Sequence, residues 1–583
     1  MAPHHRREEA HPLTIDEKKR ILLNNIHGVD IDSQAVEVTK LALLLKVLEG
    51  ESEASITRQL ALIQARALPD LDDNIKCGNS LIGPDFYDSE QMSFLDEEEH
   101  YRINVLDWRA EFPQVFEGDD PGFDAVIGNP PYVRIQALKE FAPVEVEHYK
   151  TAYRSAGKGN YDIYVVFVER GLDLLNKNGR LGYILPHKFF NAKYGGPVRD
   201  LISSGNHLSK VVHFGDEQVF RRATTYTCLM FLDQTGNAGF RFEKVADLTE
   251  WRATGASIEG AVSAASATAD DWNFVVGAGA ALFERLRQMP VKLGDVANRM
   301  AQGIRTSANE VYVLDLISEN GDLLKVRSKQ LGRDVELERE AVSLFLQGRE
   351  IKPFRTAASG KVVIVPYSMR GGRAHLIPQR EYEAKFPRTF RYLSENKTYL
   401  ENRERGRMRG DNWHAYIYPK NIEVMAASKI LVPDIADRAS FALDEAGEYT
   451  LTSGYGITFK DEMNEAQKYV LGLLNSRVLD SYLKSISTTL RGGFFRYFTQ
   501  YIEQLPIRTI DFSDAEDAVR HERMVGLVER MLSLHERLAG AGISREKTVI
   551  GHQIAATDRQ IDRLVYDLYG LTEDEIQIVE GIR

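Results

Sequence analysis

The chain has 583 residues, 43% of them hydrophobic and 27% charged, a balance that excludes a largely disordered, collagen-like or membrane-embedded polypeptide. Its 73 basic and 85 acidic residues leave a net charge of −12, which argues against a surface coated in positive charge but leaves room for a local basic groove. The two cysteines, Cys77 and Cys228, make neither a disulfide framework nor a cysteine-rich zinc site, and they fit a reducing cytoplasm.

The length sets a prior of about four domain-sized units. Residues 1–20 are polar and read as a loose tail, with no apolar stretch of signal-peptide type. The His4, His5 and His11 cluster lacks acidic or cysteine partners at a fixed spacing and reads as solvated rather than metal-binding. IHGVD predicts a short buried strand ending at Asp30 and Asp32, and Val36 to Leu48 repeats apolar residues at helical spacing. The longest nearly apolar run, Leu41 to Leu48, is broken by Lys46 and is too short to span a bilayer. A further helix is expected over 54–66. NIKCGNSLIG predicts a strand and a Gly-Asn turn, and 84–100 reads as acidic loop.

Phe123 to Ile127 predicts an apolar strand running into a rigid turn, Asn129-Pro130-Pro131-Tyr132. A helix is expected over 161–176, stopped by NKNG with Gly179 as its C-cap. RLGYILP predicts a buried strand, followed by a helix near 196–204 and strands at 209–214 and 225–232. Strands alternating with helices predict a parallel α/β sheet with ligands beyond the carboxyl ends of its strands. The expected domains are an α/β unit at 21–235, an Ala-, Gly- and Thr-rich connection at 236–285, a mixed α/β domain at 286–510 and a C-terminal helical hairpin at 511–583. In that hairpin, Met524, Val528 and Met531 face Ile561, Leu564 and Val565.

The four residues Asn129 to Tyr132 are the sharpest chemical signal. At ordinary residue frequencies a chain of this length contains that tetrapeptide about 0.002 times, so chance does not account for it. A stiff turn explains the prolines but not the flanking asparagine and tyrosine. An exocyclic amine on a nucleobase is a poor nucleophile, because its lone pair is delocalised into the ring. The Asn129 side-chain oxygen and the Pro130 carbonyl can both accept from that amine, favouring a pyramidal nitrogen with its lone pair outward. The paired prolines fix those acceptors in place, and Tyr132 offers an aromatic face to an extruded base.

These motifs resemble the gamma-class N6-adenine DNA methyltransferases, and most closely the methyltransferase and specificity portion of type IIG restriction–modification enzymes. The resemblance covers roughly 21–508. It implies a Rossmann-like methyltransferase domain, S-adenosylmethionine as methyl donor, no metal for methyl transfer, and a target adenine flipped from duplex DNA. Carried over residue by residue, Asp30 in GVDID would hold the donor's ribose hydroxyls. Asn79 in CGNSL would meet its adenine, and Phe167 would line that adenine. Phe220 in FGDEQVF would pack against the flipped base beside Tyr132. The family places a Gly-rich loop after a first strand ahead of GVDID, yet no glycine precedes Gly28. The expectation is therefore a methyltransferase domain incomplete at its N-terminus, with an upstream subunit or segment supplying the first strand and loop.

Residues 286–508 resemble the family's target-recognition domain. Arg403, Arg405, Arg407 and Arg409 lie beside Trp413, Tyr416 and Tyr418, while Arg491 and Arg496 flank a Gly-Gly-Phe-Phe run and Arg305 sits in QGIRTS. Arginine suits phosphates and guanine edges, so these seven arginines are the expected DNA contacts. The leading expectation is site-specific methyl transfer to adenine N6 in phage defence. The alternative is a non-catalytic or split-enzyme DNA-binding fragment.

Overall fold

The computed structural model describes residues 13–49, 69–88, 97–220, 225–357 and 359–581. The helix expected over 54–66 and the histidine cluster at 4–11 lie outside the described residues. The chain divides into two compact units, Met1–Val276 and Gly277–Arg583.

The first unit opens on a helix, Ile15–Asn25, capped by the Thr14 side chain accepting from the Glu17 amide. This corrects the expectation of a loose tail through residue 20, because Ile15 and Leu22 bury one face of that helix. Strand β1 (Gly28–Asp30) pairs in parallel with β2 (Ile75–Cys77), joined by the Ser33–Leu48 helix that begins at an Asp32 cap. The main sheet contains β3 (Phe123–Gly128), β4 (Leu175–Pro186), β5 (Leu208–His213), β6 (Thr227–Asp233), β7 (Gly239–Lys244) and β8 (Ile258–Ser263), in the order β3-β4-β6-β5-β7-β8.

This sheet is mixed rather than parallel. β3 and β4 are parallel, as are β5 and β7, but β6 runs antiparallel to both its neighbours. β5 and β6 are joined at one end of the sheet, with no crossover helix among the described residues of 214–226, so β6 returns antiparallel. Residues 236–285, expected as a connection, instead supply β7 and β8, whose Phe240 and Phe242 enter the core. Alternation of small residues in VSAAS hid that role.

The expected 161–176 helix is shorter, Tyr164–Asp173, and NKNG lies inside β4. Gly179 is therefore not a helix cap. It lies where the β3–β4 register shifts, and a Cβ there would come within 2.7 Å of the Phe123 carbonyl oxygen. Leu181 and Leu185 of β4, Val165 and Leu172 of the helix, and Met230 of β6 meet in one core. Each large side chain so buried contributes about 1.5–3 kcal/mol.

In the second unit a six-stranded sheet joins Arg333–Glu338, Leu323–Ser328, Val313–Asn320, Lys361–Ile364, Val342–Leu346 and Tyr449–Leu451 in that order. A four-stranded sheet joins Ala442–Asp444, Lys429–Val432, Tyr455–Phe459 and Ala297–Gln302. The C-terminal hairpin, Ala515–Gly540 and Ser544–Tyr569, packs into this unit. Its Met524, Val528, Ile561 and Val565 share a core with Leu471 and Tyr482 of shorter helices.

Candidate active site and nucleic-acid surface

Asp30, Asn79, the Asn129–Tyr132 loop and Phe220 lie at or just after the carboxyl ends of β1, β2, β3 and β5, whereas Phe167 lies within the Tyr164–Asp173 helix. Asn129 to Tyr132 follow β3 directly and lead into a loop pinned to the start of the Tyr164–Asp173 helix. There the Ile163 amide donates to the Val133 carbonyl and the Ile135 amide to the Tyr161 carbonyl, both at 2.9 Å. The Tyr132 hydroxyl donates to the Ile184 carbonyl of β4 at 3.2 Å, and its ring meets Tyr164 edge-on at 6.4 Å. Burial pushes the Tyr132 phenol up to about 12, so it stays a neutral donor. Pro130 is buried, whereas Asn129 and Pro131 are exposed. The loop thus presents one aromatic ring with its hydroxyl anchored and one open amide beside it.

A continuous chain of contacts links this loop to the acidic strand end. The Asp30 carbonyl accepts from the Gly78 amide at 2.9 Å, and its carboxylate accepts from the Asp32 amide at 2.9 Å, on an otherwise exposed side chain. Asn79 is buried and its side-chain oxygen accepts from the Leu81 amide at 3.0 Å. The Leu81 carbonyl accepts from Tyr153 Oη at 2.5 Å and from Arg170 Nη2 at 3.3 Å. Arg170 is on the same helix as Phe167, which packs half-buried against the core. The Tyr164–Asp173 helix is thus tied at Arg170 to Leu81, two residues after Asn79, and at Tyr164 to the ring of Tyr132.

Phe220 is half-buried in the loop from β5 to β6, at the same carboxyl-end side of the sheet. Sequence reasoning passed over the two histidines that hold this loop. His187 and His213 follow β4 and end β5, with ring centroids 4.1 Å apart. The Gly215 amide donates to His213 Nδ1 at 3.1 Å, and its carbonyl accepts from His187 Nε2 at 3.2 Å. The accepting Nδ1 makes His213 neutral with its proton on Nε2, and His187 carries a proton on Nε2. Burial lowers the pKa of both, and His187 lowers that of His213 further. Cys228, at the start of β6, is buried and its thiol is pushed well up by desolvation.

One side of this unit is open. Among the described residues β3 pairs only with β4, and Ile127 on β3 is 86% exposed. The Ser33–Leu48 helix buries Val36 and Val47 on one face while Val38, Leu41 and Leu45 are exposed. A helix apolar on both faces suits an interior position. β1 starts close to β3, with the His27 ring 5.8 Å from Phe123.

In the second unit the expected DNA arginines separate. Arg403 is buried and donates to the carbonyls of Leu400, Thr306, Trp413 and Ala415 at 2.8–3.2 Å, with its guanidinium 5.7 Å from the Tyr312 ring. It clamps the core and is not at the surface, which corrects its expected role. Trp413 and Tyr416 are likewise buried. Arg305, Arg405, Arg407, Arg409 and Arg491 are exposed. Arg305 bridges to Tyr418, over whose ring Arg407 sits at 5.3 Å. Arg407 also pairs with Glu404 at 3.2 Å, and Arg409 donates to Asn402 at 3.2 Å. Arg405 takes a left-handed backbone at φ 59°, in a kink that turns these side chains outward. Arg496 is half-buried over Phe498 at 5.1 Å.

Among the described residues no group of three or more histidine, cysteine, aspartate and glutamate side chains is placed to hold a metal, and no helix is long and apolar enough to cross a membrane.

Comparison with known proteins bears on both units. Residues 24–220 match the Eco57I restriction-modification methylase family, and residues 344–507 match the TaqI-like C-terminal specificity domain. The Type II restriction enzyme and methyltransferase RM.Eco57I of Escherichia coli is 28% identical, with 99% of this chain and 57% of that protein covered. The Type II methyltransferase M.PaeR7I of Pseudomonas aeruginosa is 26% identical over 79% of this chain and 72% of its own length. M.XhoI of Xanthomonas vasicola is 27% identical over 79% and 77%. The chain thus spans little more than half of the restriction–methylation fusion. In fold, it is similar to the Type IIL restriction-modification enzyme MmeI in complex with DNA, with a TM-score of 0.56 at 11% identity over 97% of this chain and 66% of that one. The first unit thus resembles the Eco57I restriction-modification methylases over residues 24–220, and the second resembles a TaqI-like C-terminal specificity domain over 344–507.

Proposed function

We propose that the chain transfers a methyl group to adenine N6 in duplex DNA, at a site chosen by its second unit, as the modification half of a restriction–modification system. The observation that carries this reading is the loop Asn129 to Tyr132, where an anchored ring stands beside an exposed amide at a strand's carboxyl end. Tyr132 stacks on the flipped adenine, and its bond to Ile184 holds the ring while the base enters. Asn129 Oδ1 and the Pro130 carbonyl accept from the N6 amine and draw its lone pair out of the ring. Nitrogen then attacks in line. The N–CH3 bond forms as the S–CH3 bond breaks, and the amine loses one proton to solvent.

S-adenosylmethionine, when bound, supplies an electrophilic methyl on a positively charged sulfur. Asp30 has the chemistry to hold its ribose diol, since its carboxylate is exposed at the end of β1. Asn79 and Phe167 would meet its adenine, and Phe220 would close on the target base. No metal enters this scheme, and the reaction belongs in the cytoplasm with its DNA. The test is incubation with labelled S-adenosylmethionine and phage DNA, followed by quantification of N6-methyladenine. Product lost in Asn129→Ala supports the reading. Product retained in Asn129→Ala refutes it.

Among the described residues no strand pairs with the outer edge of β3, which favours a second reading, in which this chain reads DNA and a separate strand-bearing segment completes the donor site. Methyl transfer that appears only when such a segment is supplied in trans supports that version.

A further inference from the structure

A two-stranded ribbon in the second unit, Tyr367–Arg370 paired with Arg373–Leu376, is a separate sheet with no other strand beside it among the described residues. Its turn is Gly371-Gly372, with φ of 56° and 74°. Both values are left-handed, the pattern of a two-residue type I′ turn, and they leave a tip with no side chain. Arg370 and Arg373 are direct cross-strand partners, so both project from the same face next to that bare tip. The pairs Met369–Ala374 and Tyr367–Leu376 alternate to the opposite face, where Tyr367 and Ala374 pack on the unit's core. The Glu423 carboxylate accepts from the Ala374 amide at 3.1 Å and fixes the ribbon's outer edge.

Two like charges directly opposite on a ribbon repel each other. Here Arg370 leans to Glu381 at 3.2 Å, while Arg373 has no ion pair among the described residues. Both are exposed, with His375 two residues along on the same face. Gly372 and Arg373 also border a groove of about 640 Å³ with Asn298 and Arg299, whose lining also includes Glu423 and Asp461. Arg299 donates to Asn421 at 2.9 Å, and Asn421 donates to the Gln302 carbonyl at 2.7 Å. That leads straight into the loop of Arg305, which bridges to Tyr418 beneath Arg407. Exposed arginines thus run as one band from the ribbon tip to the Arg407 kink, on a chain whose net charge is −12. A rigid ribbon with a bare tip and paired arginines has the width of a duplex groove, and a polyanion is what removes its internal repulsion.

We propose that the 367–376 ribbon inserts into a groove of duplex DNA, with Arg370 and Arg373 contacting the DNA on either side of the Gly-Gly tip and Arg299 following the backbone behind them. This rests on the reading of the chain as a DNA methyltransferase. The test is fluorescence anisotropy of the full chain with a labelled mixed-sequence duplex of about 40 base pairs, titrated across KCl concentrations. Arg370→Ala/Arg373→Ala should weaken binding about tenfold near 100 mM salt and flatten the log–log salt slope by about 1–2. Arg370→Lys/Arg373→Lys should keep most of the slope. Arg388→Ala/Arg391→Ala, on an exposed helix face of the same unit, should change neither quantity. A double-alanine variant that melts like the parent yet binds within twofold, with the parent's slope, overturns the ribbon proposal alone. An equal loss in the 388/391 variant overturns it too, because the effect is then bulk charge. A parent chain that binds no duplex overturns both the ribbon proposal and the function on which it rests.

Discussion

Arg403 offers a direct test of how the second unit is held together. Its guanidinium donates four hydrogen bonds to the carbonyls of Leu400, Thr306, Trp413 and Ala415, from three different stretches of chain. Truncation to alanine removes the Arg403 donor from all four carbonyl oxygens, of which Ala415 keeps the Tyr312 hydroxyl at 3.4 Å, and leaves a cavity beside Tyr312. A hydrogen bond to a charged group is worth about 1.5–3 kcal/mol net, and desolvating the guanidinium returns part of the sum, so Arg403→Ala should cost about 3–5 kcal/mol. Lysine keeps the charge but reaches only one or two carbonyls, and should recover less than half of that. Hydrogen–deuterium exchange suits the question because it separates this unit from the first. Amides around Tyr312 and Ala415 should exchange at least a hundredfold faster, since about 1.4 kcal/mol is a factor of ten. Arg405→Ala and Arg407→Ala, on exposed side chains, should leave those amides unchanged while weakening DNA binding. Unchanged exchange in Arg403→Ala, with a loss of DNA binding equal to that of Arg407→Ala, would refute the clamp and restore a surface role for Arg403.

Tyr132→Phe removes one hydrogen bond to Ile184, costs about 1 kcal/mol and should reduce methyl transfer only modestly, whereas Tyr132→Ala should abolish it; equal losses in initial-rate assays would place the function in the hydroxyl rather than the ring. The neutral His187 and His213 have lowered pKa values, so the stability they lend is complete above about 6.5 and is lost as pH falls below it. The first unit's Tm should accordingly drop as pH falls below about 6.5, and His213→Gln, whose amide oxygen accepts from Gly215 without titrating, should flatten that drop. Gly179→Ala forces a Cβ against the Phe123 carbonyl and should destabilise the β3–β4 pair by about 1–3 kcal/mol, read as a lower Tm for the first unit.

The parts of the molecule legible in its sequence are those written in local pattern. The β1 strand, its acidic end, the Asn129 to Tyr132 turn and the two long C-terminal helices each carry their periodicity and punctuation in one short stretch. Direction within the sheet was not legible, because nothing in residues 214–226 reports that β6 returns antiparallel. β8 was missed for a different reason: IEGAVS has too few large side chains to signal a strand, and its position rests on pairing with β7. The arginines of 403–409 show the limit most plainly. Nothing local distinguishes Arg403 from Arg405. Only the carbonyls of Thr306 and Ala415, distant in sequence, make one a clamp and leave the other exposed. The Gly215 bracket was invisible likewise, since His187 and His213 meet only through the sheet.

The exposed apolar residues of the first unit can be weighed in the same terms. Ile31, Val38, Leu41, Leu45 and Ile127 are exposed there, and covering such residues is worth about 1.5–3 kcal/mol apiece, or roughly 5–10 kcal/mol in all after partial burial is discounted. Strand pairing along β3 adds hydrogen bonds to that gain. A separate protein that docks here loses about 4–15 kcal/mol of translational and rotational freedom, which consumes most of it. A segment linked covalently or held by a second contact avoids that loss, because its effective concentration is already high. The energetics therefore favour a cover held in place by more than this surface. They also explain how a small cluster of Ile15, Leu22, Val36, Val47, Leu71 and Ile75 keeps β1 and β2 formed without it. Substituting Ile127→Lys separates the cases: it leaves that cluster untouched, so the unit should fold as before, while any strand added at β3 should be lost.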